Sequence, residues 1–235
     1  MEYWIFYTAT KVMPADLIAW HGTLGNAFQD RPAWHNHDLE TGRSILRYPQ
    51  VQYKILKHAL AIISLGGESK TLFTLGQSLP QTFWVENRPR TLIFRALERH
   101  PHDFTLLSKK QKYRCNNWIP MNSKQYHAYR AICYELGIDP GTRTIDHPKL
   151  LAFFEGLLTE QLQWHLRGFG YEALANSATC ILNSPVLKHY QTSYYHDTQV
   201  SMIKDMVFST NINWPVALGF GIGAAVGYGM FVKTS

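Results

Sequence analysis

Two histidines near the start of the chain are the clearest candidates for acid–base chemistry. His35 and His37 stand one residue apart in a polar stretch, residues 29–44, whose proline and glycine predict a loop. A histidine has an unperturbed pKa of about 6.5, so its imidazole can accept or donate a proton near neutral pH. A His-x-His pair could also chelate zinc, but no third or fourth ligand stands at a recognisable spacing. Simple solvation of both side chains is the other alternative.

Cationic side chains follow this loop and return in the middle of the chain. Arg43, Arg47 and Lys54 come after the histidines and could stabilise a charged phosphate. Cations alternate with aromatic residues over 108–130, a mixture typical of surfaces that bind phosphates and stack on unpaired bases. The alternative for each cation is a plain solvated charge. The candidate RNA-binding residues in this second stretch are Lys109, Lys110, Lys112 and Arg114.

A glycine-rich stretch without charge covers residues 215–232. Its length meets the minimum for a membrane-spanning helix. Its glycines favour a loop between strands instead, because glycine is a poor helix former. Backbone N–H groups without neighbouring Cβ atoms can also approach a phosphate closely. We therefore predict a loop outside any membrane, with five candidate RNA-contacting residues, Gly219, Gly221, Gly223, Gly227 and Gly229.

Composition favours a protein of the reducing cytoplasm with a polyanionic partner. The 235 residues contain 23 Lys and Arg against 17 Asp and Glu, which gives a net charge of +6 and suits RNA or DNA. The three cysteines are odd in number and widely spaced, so they predict neither a disulfide framework nor a metal site. The first residues alternate like a strand and do not resemble a signal peptide.

The first half of the chain predicts a small α+β domain, residues 1–109. Residues 3–10 are aromatic and β-branched, and Pro14 then opens an amphipathic helix. A strand interrupted by Pro49 follows, and then a hairpin predicted at Gly66 and Gly67. Residues 90–97 predict another strand. No second helix is visible in this half, but the order of elements suits a ferredoxin-like sheet with helices on one face.

The second half, residues 110–235, predicts a similar domain. A strand near its start leads to Asn122, which caps a helix, and a second helix runs from about Pro148 to Arg167. Further strands and the glycine-rich stretch complete it. The predicted fold class is therefore α+β, with tandem ferredoxin-like, RRM-like domains and a C-terminal glycine-rich loop.

Several motifs resemble those of a known family. The segment from Phe208 to Val232 is similar to the C-terminus of the CRISPR-associated repeat-processing endoribonucleases of the RAMP superfamily. Three upstream segments resemble that family in the same order: residues 22–37, 42–56 and 116–130. This sequence departs from the family in the glycine loop, where the family usually has a lysine followed by a serine or threonine and this chain has apolar residues. The positions matched at the C-terminus are Phe208, Asn211, Pro215, Gly219, Gly221, Gly227 and Gly229, and the departures are Ile222, Ala224 and Ala225.

The resemblance implies an RNA-cleaving enzyme without metal or other cofactor. Its substrate would be CRISPR repeat RNA in precursor transcripts, with the 2′-OH beside the scissile phosphate as nucleophile and a 2′,3′-cyclic phosphate as product. The family often places its catalytic histidine where His35 and His37 stand. The cation that this reaction needs would come from Arg47 or Lys54 of this sequence. Because the glycine loop lacks the family's lysine and hydroxyl side chain, the alternative is a non-catalytic RNA-binding subunit that retains the guide RNA end. Other CRISPR effector subunits and a homodimer are further implied partners.

Overall fold

The computed structural model describes residues 1–35, 49–77, 81–194, 198–215, 218–221 and 223–234. The chain divides into two compact units. The first comprises Met1–Asp103 and Ala225–Gly227, and the second comprises Phe104–Ala224 and Tyr228–Ser235. The predicted boundary between residues 109 and 110 falls inside a strand, Leu106–Asn116, whose pairing partners all belong to the second unit.

The first unit is an antiparallel sheet with helices inserted between its strands. The sheet has the order β2-β3-β1-β6, with helix α1 leading from β1 to β2 and helix α3 following β3. This order is the ferredoxin-like βαββαβ arrangement, to which a separate β4–β5 hairpin is added. The elements are β1 (Glu2–Lys11), α1 (Asp16–Ala27), α2 (Pro32–His35), β2 (Val51–Leu56), β3 (Ala59–Leu65), α3 (Ser69–Gln77), β4 (Gln81–Val85), β5 (Arg88–Leu92) and β6 (Phe94–Pro101).

One face of this sheet and the inward sides of the helices form the core of the first unit. Tyr53 lies opposite Ile62 on neighbouring strands, and both side chains are fully buried with Phe6 of β1. From α1, Leu17 and Trp20 reach the same cluster, as the helical spacing predicts. Burying these large apolar side chains supplies the main driving force for folding the unit.

Two local predictions in the first unit are wrong. The glycine pair at 66 and 67 does not form a hairpin: it begins a 3₁₀ turn, Gly66–Glu68, and the residues after it form α3. The hairpin turn lies at Lys57 and His58, both with positive φ, directly between β2 and β3. The strand predicted over 90–97 is two strands separated at Ile93, because β5 pairs with β4 whereas β6 pairs with β1.

The second unit repeats the strand order of the first. Its sheet β13-β7-β12-β9 has its first strand, β7, between the fourth and third strands, with every described pair antiparallel. A smaller sheet, β11-β10-β8, accompanies it. The elements are β7 (Leu106–Asn116), α4 (Ser123–Glu135), β8 (Thr144–Ile145), α5 (Pro148–Gly168), α6 (Glu172–Ser177), β9 (Cys180–Leu182), β10 (Leu187–Tyr194), β11 (Thr198–Lys204), β12 (Met206–Ile212) and β13 (Met230–Lys233).

Both long helices predicted in this half are confirmed. Asn122 accepts a hydrogen bond from the Gln125 backbone N–H, and the Gln125 side chain accepts one from the Asn122 N–H. This reciprocal capping box fixes the start of α4. Helix α5 begins at Pro148, where the missing N–H needs no partner. The short helix α6 was not predicted.

The glycine-rich stretch is not a continuous helix in its described residues. It contains a single 3₁₀ turn, Ala224–Val226, and then β13, so it stands between β12 and β13 where the ferredoxin-like order has its second helix. Across the described residues, no helix is both long enough and apolar enough to span a bilayer. The fold class predicted from the sequence, tandem ferredoxin-like α+β units with a glycine-rich loop, is thus confirmed.

Candidate cleavage site and nucleic-acid interface

A buried tryptophan anchors the chain where the histidine-containing loop begins. Trp34 in α2 has no exposed surface, and its indole N–H donates to the Glu68 carboxylate at 2.9 Å. The Trp34 ring also packs on Phe28, with ring centroids 4.3 Å apart. Arg31 lies 4.0 Å from the same Glu68 carboxylate. The backbone that leads directly into His35 is therefore fixed by a hydrogen bond, a charge pair and a ring contact.

The structure places one of the two candidate histidines on a described element. His35 is the last residue of α2. His37, Arg43 and Arg47 lie outside the described residues, so their assignment to the site stays a prediction from the sequence.

Lys54 lies in the interior of β2 with no exposed surface. Strand alternation puts Gln52 and Lys54 on the sheet face opposite Val51 and Tyr53. The sheet therefore positions the Lys54 side chain, which is shielded from water in this conformation.

The glycine-rich stretch is shaped by close packing. Gly221, Gly223, Gly227 and Gly229 all have positive φ, where other residues are strained. A Cβ on Gly221 would lie 2.7 Å from the Trp118 indole nitrogen, and one on Gly227 would lie 2.5 Å from a methyl group of Leu17. These glycines are required by the fold itself.

At least two of the glycine N–H groups already have partners within the second unit. The Gly221 N–H donates to the imidazole of His165 at 3.4 Å, and the Gly229 N–H donates to the carbonyl of Asn117 at 3.2 Å. A phosphate could use these two donors only by displacing an existing acceptor. The prediction that all five glycines contact RNA therefore meets an obstacle at Gly221 and Gly229, because the N–H groups of these two glycines already donate to acceptors within the protein.

His165 is the acceptor that holds the glycine-rich stretch to α5. Its ring is almost fully buried and packs near Trp214 and Phe220. Burial lowers the pKa of His165 to about 3, so the imidazole stays neutral at physiological pH. A neutral imidazole keeps one ring nitrogen free of a proton, which is the state that can accept the Gly221 N–H.

The basic stretch of the second unit forms an exposed row on β7. Lys110, Lys112 and Arg114 occupy alternate positions of the strand and are all exposed. Lys109 is exposed as well. Among the described residues, no carboxylate pairs with these four side chains. The aromatic residues predicted to accompany them are mostly core: Trp118 and Tyr129 have no exposed surface.

No cluster of three or more His, Cys, Asp or Glu side chains suited to a metal ion occurs among the residues that the structure describes. The second half of the loop with the His-x-His pair lies outside those residues. Independence from metal therefore stays a prediction.

The geometry defines a class of fold, two ferredoxin-like units in one chain. Residues 3–103 match the family model of the Cas6b N-terminal domain. The first unit is therefore similar to the Cas6b N-terminal domain over nearly its whole length. The sequence resemblance to the CRISPR-associated repeat-processing endoribonucleases is confirmed.

Two solved structures extend the likeness to the whole chain. One, described as a crystal structure of Cas6b, is 20% identical, with a TM-score of 0.76 and complete coverage of both chains. Another, described as the CRISPR RNA processing endoribonuclease Cas6b, is 18% identical, with a TM-score of 0.68 over 99% of this chain and 98% of its own. No curated protein matches the sequence. At these identities the two structures establish a shared fold.

Proposed function

We propose that this protein is an endoribonuclease that cleaves CRISPR repeat RNA in precursor transcripts to give mature guide RNA. The observation that carries the proposal is the match of residues 3–103 to the Cas6b N-terminal domain. The shared full-length fold supports it, because both Cas6b structures contain the second unit as well. The exposed cations of β7 add a surface suited to a polyanion.

The proposed reaction uses the RNA's own 2′-OH as nucleophile. A base removes the 2′-OH proton, the oxygen attacks the adjacent phosphorus, and the bond from phosphorus to the 5′ oxygen breaks. An acid then protonates the leaving 5′ oxygen, which leaves a 2′,3′-cyclic phosphate and a 5′-hydroxyl. Each positioned acid or base contributes about 10²–10⁴-fold. A nearby cation stabilises the extra negative charge of the phosphorane.

We assign the acid and base roles to His35 and His37. The anchored Trp34 supports this assignment, because it fixes the backbone immediately before His35, and His37 follows two residues later in the sequence. Arg47 and Lys54 are the proposed cations. Since Lys54 is fully buried, a phosphate reaches it only if the atoms that cover it move aside. Normal cleavage by a Lys54→Met variant would remove this residue from the mechanism.

A non-catalytic guide-binding subunit of the same fold is the second candidate. The glycine-rich stretch supports it, because Ala224 is buried where the family usually carries polar side chains and two glycine N–H groups are already bonded. Such a subunit would bind repeat RNA and leave it intact.

Cleavage of repeat RNA in the presence of EDTA separates the two candidates. The enzyme should produce a 2′,3′-cyclic phosphate end at an unchanged rate with and without the chelator. His35→Ala and His37→Ala should slow single-turnover cleavage by about 10²-fold or more for the true acid or base, with little loss of affinity. His127→Ala, at an exposed position of α4, is the matched control. A double variant at residues 35 and 37 that cleaves at the normal rate would exclude the loop.

We further propose that the reaction takes place in the cytoplasm and that the product passes to other CRISPR effector subunits. A homodimer is compatible with this role. Light scattering after size-exclusion chromatography, with and without repeat RNA, measures the oligomeric state directly.

A further inference from the structure

The sheet of the second unit has one open face with a charge pattern of its own. In antiparallel strands, directly opposite residues lie on the same face. Arg114 is opposite both Val207 of β12 and Val232 of β13, and Lys112 is opposite Ser209 of β12. We name this surface the β7 face; its members are Lys110, Lys112, Arg114, Val207, Ser209 and Val232.

The β7 face has cations and no counter-charges of its own. The four strands of this sheet, β7, β9, β12 and β13, contain no aspartate or glutamate at all. No carboxylate of the described residues pairs with Lys110, Lys112 or Arg114, so these neighbouring cations repel one another and favour a bound polyanion. Because alternate residues of a strand are about 7 Å apart, the three side chains form a line whose spacing suits successive phosphates of an extended nucleic-acid strand.

The β7 face also lacks what RNA-recognition modules use to read bases. Those modules stack bases on exposed aromatic residues of their sheet. Here the aromatic residues of the same strands, Tyr113, Phe208 and Phe231, are buried on the opposite face. The exposed neighbours of the cations are aliphatic or small and polar, so they offer no stacking surface.

We propose that the β7 face binds the phosphate backbone of single-stranded RNA without reading its bases, so that any choice among sequences is made elsewhere in the protein. A line of cations along one strand follows one phosphodiester chain, whereas a duplex distributes its phosphates over two strands. The inference rests on the proposed function, since it takes RNA to be the ligand.

The test compares salt dependence for Lys112→Gln, Arg114→Gln and the double variant. The probes are a single-stranded repeat RNA with a 2′-deoxy scissile nucleotide, oligo(rU), oligo(rA), and the same repeat annealed to its complement. Each lost contact with a single strand should reduce the slope of log K against log salt by about 0.7. Affinity should then fall about fourfold at 0.15 M salt and about eightfold at 0.05 M. Lys70→Gln, an exposed cation on α3, is the control with the same change of charge.

Each outcome decides the proposal. Equal losses for all three single-stranded probes, with an unchanged slope for Lys70→Gln, support backbone binding. Losses that differ between oligo(rU) and oligo(rA) would show that bases are read, and a larger loss on the duplex would show that double-stranded RNA is the ligand. Unchanged slopes would overturn the proposal even if the wild-type protein cleaves repeat RNA. Reduced slopes together with absent cleavage would retain it and reject the proposed enzyme.

Discussion

Replacing Gly229 with alanine tests whether the glycine-rich stretch is shaped by packing. Gly229 has a φ of +66°, and a Cβ there would collide with the carbonyl oxygen of Phe220 and lie 2.8 Å from its carbonyl carbon. Gly137 after α4 is a matched control: its φ is +68°, but a Cβ there meets nothing within 4 Å. Both substitutions incur the left-handed backbone penalty, about 1–2 kcal/mol. Only Gly229→Ala adds a collision.

The collision sets the size of the expected difference. Relief requires movement of Phe220, whose ring is fully buried, or of the start of β13. Overpacking a core costs about 1–3 kcal/mol, and losing the Gly229 bond to Asn117 costs about 1 kcal/mol more. Gly229→Ala should therefore lower the free energy of unfolding by about 2–4 kcal/mol more than Gly137→Ala. Urea denaturation of both variants measures this. Equal stability of the two variants, with RNA binding lost only in Gly229→Ala, would refute the packing argument and favour a phosphate-binding role.

Two further predictions concern buried polar groups. The folded pKa of His165 is about 3 and its unfolded value about 6.5, so the unfolded chain binds the extra proton between these pH values. The contribution of neutral, buried His165 to the free energy of unfolding is fully present above pH 6.5 and falls as the pH drops, by up to about 1.4 kcal/mol per pH unit. Denaturation at pH 7, 6, 5 and 4 should therefore show a shallower decline in stability for His165→Gln than for the wild type. Parallel curves for the two proteins would contradict this. Trp34→Phe removes the hydrogen bond from the indole N–H to Glu68, which should lower the free energy of unfolding by about 1–3 kcal/mol. It should also slow cleavage more than Lys70→Gln, a substitution at an exposed position of α3. Equal cleavage rates for the two variants would argue that Trp34 does not position the histidines.

Local signals in the sequence predicted the elements that local interactions define. Helix α4 was predicted correctly because the residues that begin and end it, Asn122 as the N-cap and Gly137 after the last turn, act on their immediate neighbours in sequence. Helix α3 was missed because nine residues after a glycine pair offer too short a period to tell a helix from a strand. The break at Ile93 was missed for another reason: which strand pairs with which is a property of the sheet, and residues 90–97 contain no sign of it.

The candidate site shows the same limit. Alternation along β7 correctly predicts an exposed row of cations, because the period of a strand is two. Alternation along β2 predicts the face that carries Lys54 but not its burial, since burial depends on what packs over that face. Glycine spacing suggested free backbone donors at the C-terminus, whereas the acceptors that occupy two of them, His165 and Asn117, stand far away in sequence.

The position of β7 in its sheet has a consequence for the speed of folding. In the first unit, β2 and β3 are joined by a two-residue turn and can pair early. In the second unit, β7 stands at the centre of the sheet but pairs with β12 and β13, and the Tyr113 hydroxyl bonds to the Trp214 carbonyl 101 residues further along the chain. Closing so long a loop costs entropy before any contact repays it. The pairing of β7 should therefore come late in the folding of the second unit. Until β12 pairs with it, β7 is an unpaired, strongly cationic strand, whose charge discourages aggregation.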